Sequence, residues 1–147
     1  MKSLPNLTKS LLILSITLLT TPALLAQSPD ITATVRFSNG QTIQITDFSD
    51  PVGIQPGENV TVTVQFAQNN VGEPTNVGSL DGGRISNASS AVSDQGLVSF
   101  TFQAAASPGL SRVVVQHALQ MLRMQFWALS SNPQNNPPVI TAANPEG

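Results

Sequence analysis

Cysteine is absent from the 147 residues, which rules out both a disulfide framework and a thiolate metal site. Lysine occurs only at Lys2 and Lys9, and charged residues make up 10% of the chain against roughly 25% in an ordinary globular domain. Beyond residue 26 the basic residues are Arg36, Arg84, Arg112 and Arg123, against eight Asp and Glu, so that part of the chain carries a net charge of −4. Nucleic-acid binding depends on clustered Lys and Arg facing phosphates, and a sparse, mildly acidic surface argues against it. His117 is the only histidine, so a metal site or a nucleophile–base pair built on histidine has little to work with. The serines have no Gly-x-Ser-x-Gly context, and no pair of carboxylates stands at a spacing that marks a glycosidase. Asp81-Gly82-Gly83 is turn chemistry without the Lys of a phosphate cradle.

What is present begins with an export signal. Lys2 and Lys9 precede the apolar run from Leu11 to Leu19, Pro22 breaks it, and Ala23-Leu24-Leu25-Ala26-Gln27 follows. A positive start, a short apolar core and a small residue before a polar continuation make a secretory signal peptide over residues 1–26, with cleavage expected after Ala26 or alternatively after Ala23. A spanning helix needs about 20 unbroken apolar residues, so no membrane insertion is expected after cleavage. The expected location is secreted, periplasmic or on the cell surface. The roughly 120 residues that remain are enough for one compact domain held by its core alone.

Those residues read as strands. Ile31 to Phe37 alternates, Ser38-Asn39-Gly40-Gln41 carries the Asn-Gly hairpin signal, and Thr42 to Thr46 continues the alternation. Asn59 to Phe66 is the plainest strand, with Val60, Val62, Val64 and Phe66 on one face. Val52 to Gly57 and Ala67 to Val77 read as loops, and Ser79-Leu80 and Arg84-Ile85-Ser86 as short strands. Ser93-Asp94-Gln95-Gly96 opens into Leu97 to Gln103, and Ser107-Pro108-Gly109 feeds Val113-Val114-Val115. From Val115 to Leu129 two readings compete. Val115, Leu119, Leu122, Phe126 and Leu129 recur at helical spacing, and no Gly or Pro interrupts Ser111 to Ser131. The alternative is a hairpin from Arg112 to Leu129, turning near Leu119-Gln120-Met121, with Leu122, Met124, Phe126 and Ala128 on one face. Periodicity favours the helix slightly. The company of earlier strands favours the hairpin, which is the expectation adopted. The Pro- and Asn-rich residues 132–147 read as a flexible tail, with Val139-Ile140-Thr141 as its one stretch able to pair at an edge.

Several turns stand in a suggestive order. Gln55-Pro56-Gly57 precedes the strand from Val60 to Phe66, and the Gly72-Glu73-Pro74 loop follows. Then come Gly83-Arg84-Ile85-Ser86, Ser93-Asp94-Gln95-Gly96, and Pro108-Gly109 before a Val-rich strand. This pattern, over about Asn59 to Gln116, resembles the bacterial immunoglobulin-like domains of the invasin and intimin type. The resemblance implies an all-β, immunoglobulin-like antiparallel β-sandwich of about seven strands over residues 27–131, and a cell-surface adhesion role. The family usually occurs as tandem repeats, and a single copy with no internal period is found here.

The function expected is that of a non-enzymatic structural or interaction module, with no cofactor and with a protein or polysaccharide as partner. The alternative is a carbohydrate-binding module using Trp127, with Arg123 or Phe126 nearby, because an exposed indole stacks on sugar rings or anchors a protein. On a strand, Phe126 and Trp127 point to opposite faces, so one of them faces outward. Asp47 and Asp50, with Asp81 or Asp94, could supply oxygens to Ca²⁺. Calcium wants about six to eight oxygens, and scattered turn Asp residues more often bond their own backbone.

Overall fold

A computed structural model describes residues 31–66 and 71–141. The expected signal peptide, the first four residues of the Ala67–Val77 loop and the last six residues of the expected tail lie outside the described residues. Among the described residues there are nine strands: β1 (Thr32–Arg36), β2 (Thr42–Thr46), β3 (Val52–Ile54), β4 (Asn59–Gln65), β5 (Thr75–Ser79), β6 (Arg84–Ser86), β7 (Leu97–Gln103), β8 (Gly109–His117) and β9 (Gln120–Ala128). They form a β-sandwich of two sheets, one ordered β2-β1-β4-β7-β6 and the other β3-β9-β8-β5. All pairings between these strands are antiparallel except β3 with β9. No helix among the described residues is long and apolar enough to cross a membrane.

The alternation in the sequence becomes the core. Val60, Val62 and Val64 of β4 and Val98, Phe100 and Phe102 of β7 are buried on the inner face of the five-stranded sheet. Val113 and Val115 of β8 and Leu122, Met124, Phe126 and Ala128 of β9 answer from the four-stranded sheet. Phe102 and Phe126 stack with centroids 4.5 Å apart and planes 23° apart. Fully burying side chains of this size stabilises the fold by about 1.5–3 kcal/mol each, so this inner layer carries most of the stability of a chain without disulfides.

The turns behave as their residues dictate. Gly40 takes φ 87° between β1 and β2, and the Asn39 side chain accepts the Gln41 N–H at 2.9 Å. Ser93 accepts the N–H groups of Gln95 and Leu97 on its hydroxyl, and Gly96 takes φ 77°. The contested segment from Val115 to Leu129 lies in a hairpin, paired from Gly109↔Ala128 to His117↔Gln120 around Ala118-Leu119. The turn falls one residue earlier than the sequence suggests, and Ala118 makes it at φ 49°.

Two stretches differ from the sequence reading. Val52–Ile54, read as loop, is a strand with all three residues buried, added parallel to β9 through Val52↔Phe126, Gly53↔Trp127 and Ile54↔Ala128. Three residues between Pro51 and Gln55 are too few for alternation to register. Thr75–Ser79, mostly read as loop, is β5, paired with β8 from Thr75↔His117 to Ser79↔Val113. Its inward residues are Thr75, Val77 and Ser79, a face too polar to signal a strand.

Residues 132–141, at the start of the expected tail, lie against the sandwich. The Asn136 side chain accepts the Ser130 N–H at 2.6 Å and donates to the Ser130 carbonyl at 3.2 Å. Ile140 forms a parallel bridge to Val52, accepts the Gly53 N–H at 3.0 Å and donates to the Pro51 carbonyl at 2.8 Å. This occupies the outer edge of β3, an edge that would otherwise offer its backbone groups to another chain.

Candidate binding face

With the inner faces committed to the core, chemistry has to sit on the outer faces or in the loops. The outward side chains of β8 and β9 alternate with the buried ones: Leu110, Arg112, Val114 and Gln116 on one strand, Met121, Arg123, Gln125 and Trp127 on the other. Trp127 and Arg123 therefore share the outer face of the four-stranded sheet. Four residues apart on one strand, they are separated by about 13 Å. Phe126, also considered beside Trp127, points inward onto Phe102 and is fully buried.

Trp127 is half-buried. It stands between Leu110 on β8 and Gly53 on β3 in the pairing, and its indole N–H is buried without a hydrogen-bond partner among the described residues. A buried, unmatched donor is costly, on the order of 1–3 kcal/mol. One face of the strand therefore holds an indole whose polar handle is unused.

Arg123 is held by a loop. Asp47, just after β2, accepts the Arg123 backbone N–H at 2.7 Å and its Nε–H at 3.1 Å on Oδ1, while Nη2 donates to Oδ2. The Phe48 N–H donates to the Arg123 carbonyl at 3.3 Å, and the guanidinium carbon lies 3.9 Å from the centre of the Phe48 ring. The hydrogen bond from the Arg123 side chain, reinforced by its backbone N–H and its charge, holds the Asp47 carboxyl below the usual carboxylate range. The same contact raises the Arg123 guanidinium further.

The other edge of the β8–β9 ribbon repeats the arrangement. Leu80, just after β5, donates its N–H to the Arg112 carbonyl at 2.8 Å, and Asp81 pairs with Arg112 Nε. The hydrogen bond from Arg112 lowers Asp81 and raises the arginine. Because Arg112 stands opposite Gln125 and Val114 opposite Arg123, the two arginines are diagonal neighbours. Between the two loops lies an open depression of about 230 Å³. Phe48 and Leu80 line its sides, and Arg112, Val114, Arg123 and Gln125 line its floor. Phe48 is 69% exposed and Leu80 64%.

Sequence reasoning singled out Trp127 and Arg123 but not this depression. The partners in the two ion pairs are 76 and 31 residues apart in the chain, and the only local signal was an Asp beside a Phe in a turn. The four Asp weighed for Ca²⁺ are not gathered: Asp47 and Asp81 each hold a different arginine, and no group of three or more His, Asp or Glu able to hold a metal occurs among the described residues. His117 ends β8 with its ring buried. It packs edge-on against Phe66 with centroids 5.3 Å apart, and its Nδ1 lies 3.4 Å from the Pro74 carbonyl oxygen.

Compared with known proteins, the chain matches no protein-family model, no curated protein and no solved structure.

Proposed function

We propose that the chain is a secreted or cell-surface, non-enzymatic interaction module with an immunoglobulin-like fold, and that the outer face of the four-stranded sheet is its contact surface. The observation that carries the reading is the β8–β9 face itself. It displays Phe48, Leu80 and Met121 to solvent, yet fixes its two arginines with dedicated carboxylates. Rigid donors beside exposed apolar groups suit recognition, where preorganisation lowers the ordering cost of binding.

Strand order supports the immunoglobulin-like part. The run β1-β4-β7-β6 corresponds to strands A-B-E-D of an immunoglobulin constant-type domain, and β5-β8-β9 to C-F-G. On that correspondence β2 and β3 are two additions to a seven-stranded plan. The disulfide and tyrosine corner of antibody domains have no counterpart, since the chain contains neither Cys nor Tyr. Export rests on the signal in residues 1–26.

A direct test applies the full chain to cell-envelope preparations, with Gln125→Glu on the proposed face and Thr63→Glu on the outer face of the opposite sheet as control. Loss of retention for the first variant alone supports the reading. Equal retention of all three, or none by the native chain, counts against it. The second reading, a carbohydrate-binding module using Trp127 with Arg123, is favoured by the outward placement of both side chains on one face of β9. Its mark is a change in Trp127 fluorescence on adding a polysaccharide, since the chain has a single Trp.

A further inference from the structure

Phe48 is in the wrong conformation for its residue type. Its φ is 59°, a left-handed backbone that costs a non-glycine residue about 1–2 kcal/mol, and a ring 69% exposed to solvent recovers little of that by burial. Glycine or asparagine would make this turn more cheaply. Strain kept at an exposed position is a pointer to a role outside the fold. The ring lies over the Arg123 guanidinium and walls the depression, which the second loop closes on its far side with Leu80.

The charges around the depression narrow what it would take. Two arginines face two aspartates, so the site as a whole is neutral, inside a region with net charge −4. An anionic ligand would have to compete with Asp47 and Asp81 for guanidiniums they already occupy, and would meet the field of a net acidic chain. A neutral ligand displaces nothing. Asp47 uses Nε and Nη2 of Arg123, which leaves the Nη1 edge of a five-donor group directed by its carboxylate. Gln125 supplies both a donor and an acceptor between the two arginines. Planar donors held by carboxylates, with the Gln125 amide between them, beside an exposed aromatic ring match a ligand that alternates hydroxyls with apolar C–H faces.

We infer that the depression between Phe48 and Leu80 is a contact subsite for a neutral polyhydroxyl chain, a glycan segment, with Phe48 as its stacking platform and Arg123, Gln125 and Arg112 as its hydrogen-bonding floor. This rests on the reading of the β8–β9 face as a contact surface and moves the centre of glycan contact from Trp127 to Phe48. At about 230 Å³ the depression is below the roughly 300–1,000 Å³ of pockets that enclose a whole ligand. It holds one ring-sized unit of a chain that continues along β9, with Trp127 about 13 Å further on as a second contact.

The test uses affinity electrophoresis and calorimetry of the full chain with soluble neutral polysaccharides (xylan, mannan, mixed-linkage glucan, dextran) and anionic ones (alginate, pectate). The key variant is Phe48→Gly, which removes the ring while the relief of its left-handed backbone offsets the lost contact with Arg123 and the added freedom of the unfolded chain. The expected result is retention by at least one neutral polysaccharide, weakened tenfold or more in Phe48→Gly with Tm close to that of the native chain. Arg112→Gln should weaken it also. Binding that survives Phe48→Gly but is lost in Trp127→Ala would overturn the subsite and leave a glycan-binding face. Preference for anionic polymers, or no glycan binding by the native chain, would overturn it too. In the latter case, retention on envelope preparations that Gln125→Glu abolishes would leave the interaction-module reading standing.

Discussion

Asp47 grips Arg123 at three points, taking its backbone N–H, its Nε–H and its Nη2–H on one carboxylate. The grip ties the loop after β2, which belongs to the five-stranded sheet, to β9 in the other sheet. It links the two layers from outside, without passing through the core.

Acid should loosen it. The Asp47 carboxyl titrates lower in the folded chain than in the unfolded one, so its contribution is present above about pH 4 and is lost as the pH falls through the folded-state value. Thermal unfolding followed between about pH 6 and pH 3 should show a decline in Tm that is shallower in Asp47→Asn than in the native chain. The difference should be small, because the pair is solvent-exposed. Identical acid limbs in the two proteins would show that the grip contributes nothing to the fold.

The stacked pair Phe102 and Phe126 joins the sheets at the centre. Replacing either by Ala should cost about 3–5 kcal/mol, with transfer loss and cavity combined. The double variant should cost less than the two single losses together, because each ring is the other's neighbour. Denaturant unfolding of the three variants measures this, and strict additivity would mean the stack adds no coupling.

Gly53 is fixed by contact. Its backbone φ is ordinary, but a Cβ there would lie 2.8 Å from Cγ2 of Val139. Gly53→Ala should therefore lift the 137–141 segment off β3 and destabilise the chain by about 1–3 kcal/mol. Adding Val139→Ala should restore most of the loss. Limited proteolysis between residues 130 and 141 reports the release directly, and a double variant no better than Gly53→Ala would point to a different obstruction.

Ala118 turns the longest hairpin in a left-handed conformation. Ala118→Gly should stabilise the chain by about 0.5–1 kcal/mol, the relief of strain outweighing the added freedom of the unfolded chain. Chemical denaturation would check it, and a lower midpoint for the glycine variant would contradict it.

The same residue explains the hardest part of the sequence to read. A hairpin normally announces itself with Asn-Gly, as at Asn39-Gly40, whereas Ala118-Leu119 carries no such mark and Leu119 is fully exposed at the tip. Helical spacing then fits by coincidence, and only the preceding strands argue otherwise. Alternation made β1, β2, β4 and β7 legible because each buries one full face. β3 and β5 escaped notice for opposite reasons, the first too short and buried on both faces, the second lined inward by Thr75 and Ser79. The outward placement of Trp127 and Arg123 follows from period two once β9 is a strand. The paired loops around Arg112 and Arg123 left no signal beyond the Asp47-Phe48 turn, since their contacts join residues far apart in the chain.

The parallel alignment of Ile140 with β3 has a mechanical side. A pull on Ile140 along the strand it is paired with would load its hydrogen bonds with Gly53 and Pro51 together, in shear. Tension on that side of the molecule would meet its first resistance there, before it reached the core.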